Sequence, residues 1–268
     1  MSKDGLSKDL SVVDLHHHIL PGVDDGPADL DAALDLARMA SAEGIETVVA
    51  TPHTLDGVFD APRERCREAL AELRQGLERA GCSLQIRLAA EVRLHEDLPS
   101  RLCGDPTLSL DGQGRYLLLE LPHAAAPQFL PDFLFGLLAA GTAPVIAHPE
   151  RNMAVRKDPR IALEWVKIGC LLQLTSGSLT GFFGDPIRRS AEHLLRLGAV
   201  HVLATDAHSP SRRPPIARAA LEAARRIVGE EDARLLLEGN PALILAGEGR
   251  SAVRAAKSRK RSFFSFAR

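Results

Sequence analysis

The sequence predicts one α/β domain: a single distorted (βα)7-type barrel of parallel strands with its helices outside. Three observations carry that expectation. Seven short runs are apolar or β-branched, several without polar alternation, the pattern of parallel strands covered on both faces. Helix-period segments separate them, and no Ser/Gly/Pro-rich linker divides the 268 residues. Six of the seven runs end in histidine or acidic residues.

In chain order, the first strand is predicted at 11–15 (SVVDL) and is followed by an alanine- and leucine-rich helix at 28–43 that stops before Gly44. A strand at 46–50 (ETVVA) precedes a helix at 62–80, opened by Pro62 and ended by Gly81. Strands at 85–90 and 116–119 lead to a helix at 127–140 between Pro127 and Gly141. The strand at 143–147 precedes a helix at 159–168, bounded by Pro159 and Gly169. A strand at 170–174, a helix at 186–197 bounded by Pro186 and Gly198, and a strand at 200–205 follow. Helices at 215–228 and 230–245 complete the domain. Proline is preorganised for a first turn and glycine tolerates the left-handed conformation that ends a helix, which explains the recurring asymmetry.

Composition narrows the function. An apolar content of 45% with 25% charged residues excludes a disordered chain. The net charge of -2 hides two unlike parts. Arg250, Arg254, Lys257, Arg259, Lys260, Arg261 and Arg268 put +7 on residues 249–268, leaving -9 on the remainder. Three segments are expected: an N-terminal extension at 1–10, a catalytic domain at 11–248, and a basic, disordered tail at 249–268. Phe263, Phe264 and Phe266 suit the tail to peripheral contact with an anionic membrane. The domain itself has no basic stripe and only Trp165 and Tyr116 beside phenylalanine, so nucleic acid is not an expected partner. Cys66, Cys82, Cys103 and Cys170 are scattered, and residues 1–10 lack the apolar core of a signal peptide. A cytoplasmic protein is expected.

The chemistry gathers where the strands end. The first strand runs into Asp14, His16, His17 and His18, with Asp24 and Asp25 just beyond. Later strands lead to His53, Glu91, Glu120, His148 and the pair Asp206/His208. In a parallel barrel those ends open on one face. Alternation along a strand points His16 and His18 to one side and His17 to the other. Any one of these residues alone is an ordinary loop residue; their convergence indicates a metal site. Five imidazoles and four carboxylates without thiolate suit Mn²⁺, Fe or Zn²⁺. His95, His123, His193 and His201 lack this context and are expected to be structural or superficial.

The ordered motifs D-L-H-x-H-I-L-P-G-V-D-D-G-P, T-P-H-x-x-x-G-x-F, A-E, L-E, A-H-P-E-R and T-D-A-H followed by R-R-P-P resemble the PHP (polymerase and histidinol phosphatase) superfamily of metal-dependent phosphoesterases. Within it the match is to the bacterial protein-tyrosine phosphatases of capsule and exopolysaccharide operons, over residues 11–247. The resemblance implies the PHP fold and a trinuclear centre of divalent ions, manganese foremost. His16, His18, Glu91 and Asp206 would hold one ion. Glu91 would bridge to a second, also held by Glu120 and His148. Asp25, His53 and His208 would hold the third, and Asp14 and Asp24 would support the ligands. Arg151 and Arg213 match family arginines and would clamp phosphate oxygens.

Three divalent ions with four carboxylates leave +2, a balance that suits a phosphomonoester dianion. The implied reaction is attack of a metal-activated water on phosphotyrosine. The implied partner is a phosphotyrosine protein, foremost a membrane-associated tyrosine autokinase of polysaccharide export. The same core would also serve a small-molecule phosphatase such as one for histidinol phosphate. A non-catalytic metal-binding scaffold is the remote alternative, disfavoured because none of the nine ligand positions is lost. One departure stands out: His53 is followed by Thr54-Leu55-Asp56, where some members carry basic residues.

Overall fold

The computed structural model describes residues 11–95, 98 and 105–258. Every strand pairing in it is parallel. One sheet has β1 (Val12–His17), β2 (Ile45–Ala50) and β4 (Gln85–Leu88) side by side. The other runs in the order β3 (His53–Thr54), β5 (Glu91–Arg93), β6 (Tyr116–Glu120), β7 (Ala143–Ala147), β8 (Leu171–Thr175) and β9 (Val202–Ala204).

The seven predicted strands are all present, and two of them are interrupted. The run at 46–50 breaks at Thr51-Pro52 and resumes as β3, because proline has no N–H to give to a ladder. The neighbouring run at 85–90 breaks at Ala89-Ala90 and resumes as β5. Two bonds carry the pairing across the double break: Ala89 N–H to the Ala50 carbonyl at 2.9 Å and Glu91 N–H to the Pro52 carbonyl at 3.2 Å. The first and last strands also meet. Asp206 N–H donates to the His16 carbonyl at 2.8 Å and His18 N–H to the Ala207 carbonyl at 2.9 Å.

Two apolar clusters sandwich the strands. One, with Leu15, Val49, Leu118, Val145, Leu171 and Val202, fills the space between strands. The larger one lies under the helices α1 (Leu30–Ala42), α2 (Arg63–Arg79), α3 (Leu130–Ala139), α4 (Met153–Lys157), α5 (Arg160–Ile168), α6 (Ser176–Thr180), α7 (Asp185–Arg196) and α8 (Arg218–Val228). Burial on both faces is why these strands read as unbroken apolar runs. The short helices α4 and α6 were not expected from sequence, since one turn leaves no period to detect.

Two expectations need correction. The helix expected at 230–245 is helical throughout but not uniformly α: a π-helical turn at Leu235–Gly239 lies between α9 (Glu230–Arg234) and α10 (Asn240–Leu245). Pro241 lacks an N–H and its ring would meet a carbonyl of the preceding turn, and the widened turn accommodates it. The tail expected to detach at 249 is docked through its described part, 249–258. Val253 and Ala256 are each 1% exposed. Arg250 Nε donates to the Gly169 carbonyl at 2.8 Å, Arg254 pairs with Asp232, and Ala256 N–H reaches the Val200 carbonyl at 2.8 Å. Asn240 Nδ2 ties the Arg254 carbonyl to the body at 2.7 Å. Two of the seven basic residues therefore serve docking, and Val253 and Ala256 beside them fill the seam. Residues 1–10 and 259–268, with Phe263, Phe264 and Phe266, lie outside the described residues. Among the described residues, no helix is long and apolar enough to cross a membrane.

His201 is structural, as expected, and buried. Its Nδ1 accepts the Leu172 N–H at 3.2 Å. Burial, with Arg250 adding to it, lowers its pKa from 6.5 to about 3. The neutral ring then stabilises the fold fully above pH 6.5, and that contribution is lost as pH falls from 6.5 towards 3, on the order of a few kcal/mol in total. Denaturant titrations at pH 7 and pH 5 should show a steep acid loss in the wild type and a shallower one in His201→Asn. Equal slopes would remove His201 from that account.

Candidate metal and phosphate site

The nine sequence-predicted ligands converge at the C-terminal ends of the strands. Their donor atoms fall into overlapping groups, each with its atoms within 4.8 Å of one another: His18/Asp25/His53/His208, His16/His18/Glu91, and Glu91/Glu120/His148. Asp206 joins them through Oδ1, 3.3 Å from His16 Nε2 and 3.7 Å from His208 Nδ1. His18 belongs to two of these groups, and Asp206 to none of them. Only Asp25, 43% exposed, and His53, 15% exposed, open towards solvent; the other seven are buried.

The backbone bends to achieve this. The β1–β2 register shifts between Asp14 and His17. His148 has φ 33° and Asp206 φ 54°, the left-handed region that costs a non-glycine residue roughly 1–3 kcal/mol. Such outliers persist where surrounding contacts fix them, and both sit in the site. Asp14 provides one of those contacts. It accepts the Thr205 N–H at 2.9 Å and the Thr205 hydroxyl, stitching β1 to the strand end that carries Asp206. Burial, partly opposed by these bonds, raises the Asp14 pKa to about 6.

The ring tautomers show what charge the centre calls for. His16 Nδ1 faces Gln173 Oε1 at 3.0 Å, and His18 Nδ1 faces Asp24 Oδ2 at 2.7 Å. Each acceptor draws the ring proton to Nδ1 and leaves Nε2 as a bare acceptor. Those two Nε2 atoms lie 3.2 Å apart. Both also face Glu91 Oε2, at 3.3 and 3.4 Å. Lone pairs this close and this dry require positive charge between them. The same demand shows in the rings themselves: burial lowers the His16 pKa, but Glu91 and Asp206 outweigh that and raise it, and Asp24 and Glu91 do the same for His18. Glu120 tells the same story from the acid side, its pKa raised by burial and then by the charge of Glu91. An oxygen- and nitrogen-rich centre with a charge deficit of this kind fits divalent cations, borderline or hard.

The arginine side is equally specific. Arg151 Nη2 is 2.8 Å from Asp206 Oδ2, and Arg213 pairs with the same oxygen while its Nη1 lies 3.1 Å from His208 Nε2. Phe183 lies under both guanidinium groups, 4.1 Å from Arg151 and 5.6 Å from Arg213. Phe59 stacks on His53 at 6.0 Å.

Relatives decide the family. The model for capsular polysaccharide synthesis proteins CpsB/CapC matches residues 12–246. The chain belongs to the CpsB/CapC family. Among its relatives, the tyrosine-protein phosphatase YwqE of Bacillus subtilis is 33% identical over 237 residues, covering 88% of this chain and 92% of that one. The tyrosine-protein phosphatase CpsB of Streptococcus pneumoniae is 30% identical over 241 residues, covering 87% and 98%. A crystal structure from a study of YwqE and CpsB, described as unique metal-dependent tyrosine phosphatases, superposes with a TM-score of 0.85 at 31% identity, covering 93% of this chain and 100% of that one. An organophosphorus hydrolase variant from Deinococcus radiodurans, 19% identical with a TM-score of 0.55 over 88% of this chain and 93% of that one, shares the fold.

This CpsB/CapC chain also holds site residues that the sequence did not single out. Gln173 sits in β8, the one predicted strand without a histidine or acid at its end, and supports His16 instead. Thr175, at the end of β8, accepts from Arg151 Nη2 at 3.1 Å. Buried Glu150 accepts the Thr175 N–H at 2.9 Å and the Ser178 hydroxyl at 2.6 Å, pinning the turn that carries His148 and Arg151. His123, expected to be structural or superficial, is 56% exposed and lies 3.9 Å from Glu120 and 5.5 Å, ring to ring, from His148. His17 does face away; it is buried, and neither ring nitrogen is hydrogen-bonded among the described residues.

Asp24 accepts from His18, from the His53 N–H at 3.1 Å and from the Gly26 N–H at 3.0 Å, so one carboxylate orients two of the donors. Asp24→Asn should weaken metal affinity about 10- to 100-fold in a chelator competition, the range for lost ligand support. Unchanged affinity would show that His18 needs no orienting partner.

Proposed function

We propose that this CpsB/CapC-family protein is a metal-dependent protein-tyrosine phosphatase, a phosphoric monoester hydrolase acting on phosphotyrosine in polypeptides. The convergence of nine buried or half-buried donors beside two arginine forks carries the reading. His16, His18, Glu91 and Asp206 would hold one cation, Glu91, Glu120 and His148 a second, and Asp25, His53 and His208 a third, with Mn²⁺ the first candidate. Bound cations supply Lewis acidity and lower the pKa of a water towards ~7.

The chain's own groups do the rest. Arg151 and Arg213 reach Asp206 from different loops, so their forks are positioned to take phosphate oxygens beside the cations. Phe183 underneath holds both guanidinium planes. Burial of Glu91 and Asp206 keeps bulk water from screening these charges. Phe59 against His53 gives the mouth an aromatic wall suited to a phenyl leaving group. The family's link to capsular polysaccharide synthesis supports a tyrosine autokinase of polysaccharide export as the partner.

Purified protein loaded with Mn²⁺ should hydrolyse a phosphotyrosyl peptide far better than histidinol phosphate, lose activity to a chelator and regain it with metal. Selectivity for histidinol phosphate would overturn the protein-substrate reading. Asp206→Ala should lose both metal and turnover; a variant that keeps its metal content would refute the ligand assignment. Arg151→Ala and Arg213→Ala should each keep their metal and lose kcat/KM by roughly 100-fold, the scale for one lost charge-stabilising donor. Steady-state kinetics beside metal analysis separates the two classes of variant.

A further inference from the structure

We propose that a basic groove between α4 and α7 docks an acidic stretch of the phosphotyrosyl polypeptide, beside the site that takes its phosphate. This rests on the phosphatase reading above and adds a sequence preference to it. The groove is a cavity of about 460 Å³ whose lining includes Met153, Arg156, Lys157, Arg189 and His193. That volume is in the range of ligand pockets, roughly 300–1,000 Å³.

Both walls of the groove start at the phosphate side of the site. α4 begins two residues after Arg151, and the Met153 N–H bonds the carbonyl of His123 at 2.8 Å. α7 begins two residues after Phe183, whose ring carries the Arg151 guanidinium. A polypeptide with its phosphotyrosine at Arg151 therefore has the groove next to it.

The groove's charge has no internal use. Arg156 and Lys157 form no ion pair among the described residues, and the contact of Arg189 with Asp185 is long, 3.7 Å. The acids nearby are engaged elsewhere. Asp158 is held by Arg160 at 2.7 Å, and Glu192 by Arg188 at 2.6 Å and Arg196 at 2.9 Å. Three cations are thus concentrated on a body whose overall charge is acidic, which marks them as complementary to an anionic partner. Met153, 60% exposed, adds an adaptable apolar contact. The occupant that fits is a short peptide segment rich in Asp and Glu.

The test compares two phosphotyrosyl decapeptides, one with three acidic residues on one flank and one with serine and glycine there, alongside p-nitrophenyl phosphate. Wild-type Mn²⁺-loaded enzyme should prefer the acidic peptide by about tenfold in kcat/KM, chiefly through KM, and the preference should shrink as salt rises. The triple variant Arg156→Gln, Lys157→Gln, Arg189→Gln should lose the preference while hydrolysing p-nitrophenyl phosphate within about twofold of wild type. Equal treatment of the two peptides by the wild type, or a preference that survives the triple variant, overturns the groove. Failure of the wild type to hydrolyse any of the three would refute the phosphatase reading instead. Fluorescence anisotropy of the two labelled peptides, wild type against triple variant, then decides the groove independently of turnover.

Discussion

Everything in this protein is arranged around an unsatisfied excess of lone pairs. Glu91 receives His16, His18, His53 and His148 within 3.0 to 3.4 Å, in a place that water does not reach. Burial alone would push its carboxyl towards the neutral form, yet the histidines around it hold its pKa well below the usual range. A negative charge kept in the interior is tolerable only with positive charge beside it. The fold's task is to keep these donors apart when they repel and aligned when a cation arrives.

Parallel strands suit that task because each contributes its end to one rim. The rim positions the donors, and a network of supporting bonds fixes their orientation. Gln173, Asp24 and Asp14 each tie a donor-bearing segment to a different strand or loop. The left-handed backbone at His148 and Asp206 is held by the same connections, through the Glu150 and Asp14 bonds to the end of β8 and to Thr205. Strain at the site is thereby offset by hydrogen bonds one or two residues away from it.

This division explains what the sequence showed and what it hid. The seven strand runs and all nine donors were legible, because apolar runs and His, Asp and Glu at their ends are unusual in themselves. Gln173 was not, since a neutral amide inside an apolar run carries no mark of its role until the strand is placed next to His16. Glu150 lay in a recognised motif, but its partners, Thr175 and Ser178, come from a different strand and helix. Disorder was expected from 249 because charge composition was taken as a sign of detachment, whereas Arg250 and Arg254 use their charge and length to dock. The π-turn at Leu235–Gly239 depends on how a helix relaxes around Pro241, which pattern alone does not specify.

Asp206 shows how tightly the two halves of the site are joined. Its Oδ1 faces His16, His18 and His208, and its Oδ2 faces Arg151, Arg213 and Thr175. One carboxylate thus looks towards the histidine cluster with one oxygen and towards the two arginines with the other. Its charge is stabilised from both sides: burial opposes ionisation, but His16, then Arg213 and Arg151, hold its pKa well below the usual range. On the function proposed above, a cation drawing on Oδ1 would reduce the charge available to the arginines at Oδ2, and a phosphate dianion would offer those arginines a better partner, so that cation and phosphate binding would be coupled with the same sign through a single side chain.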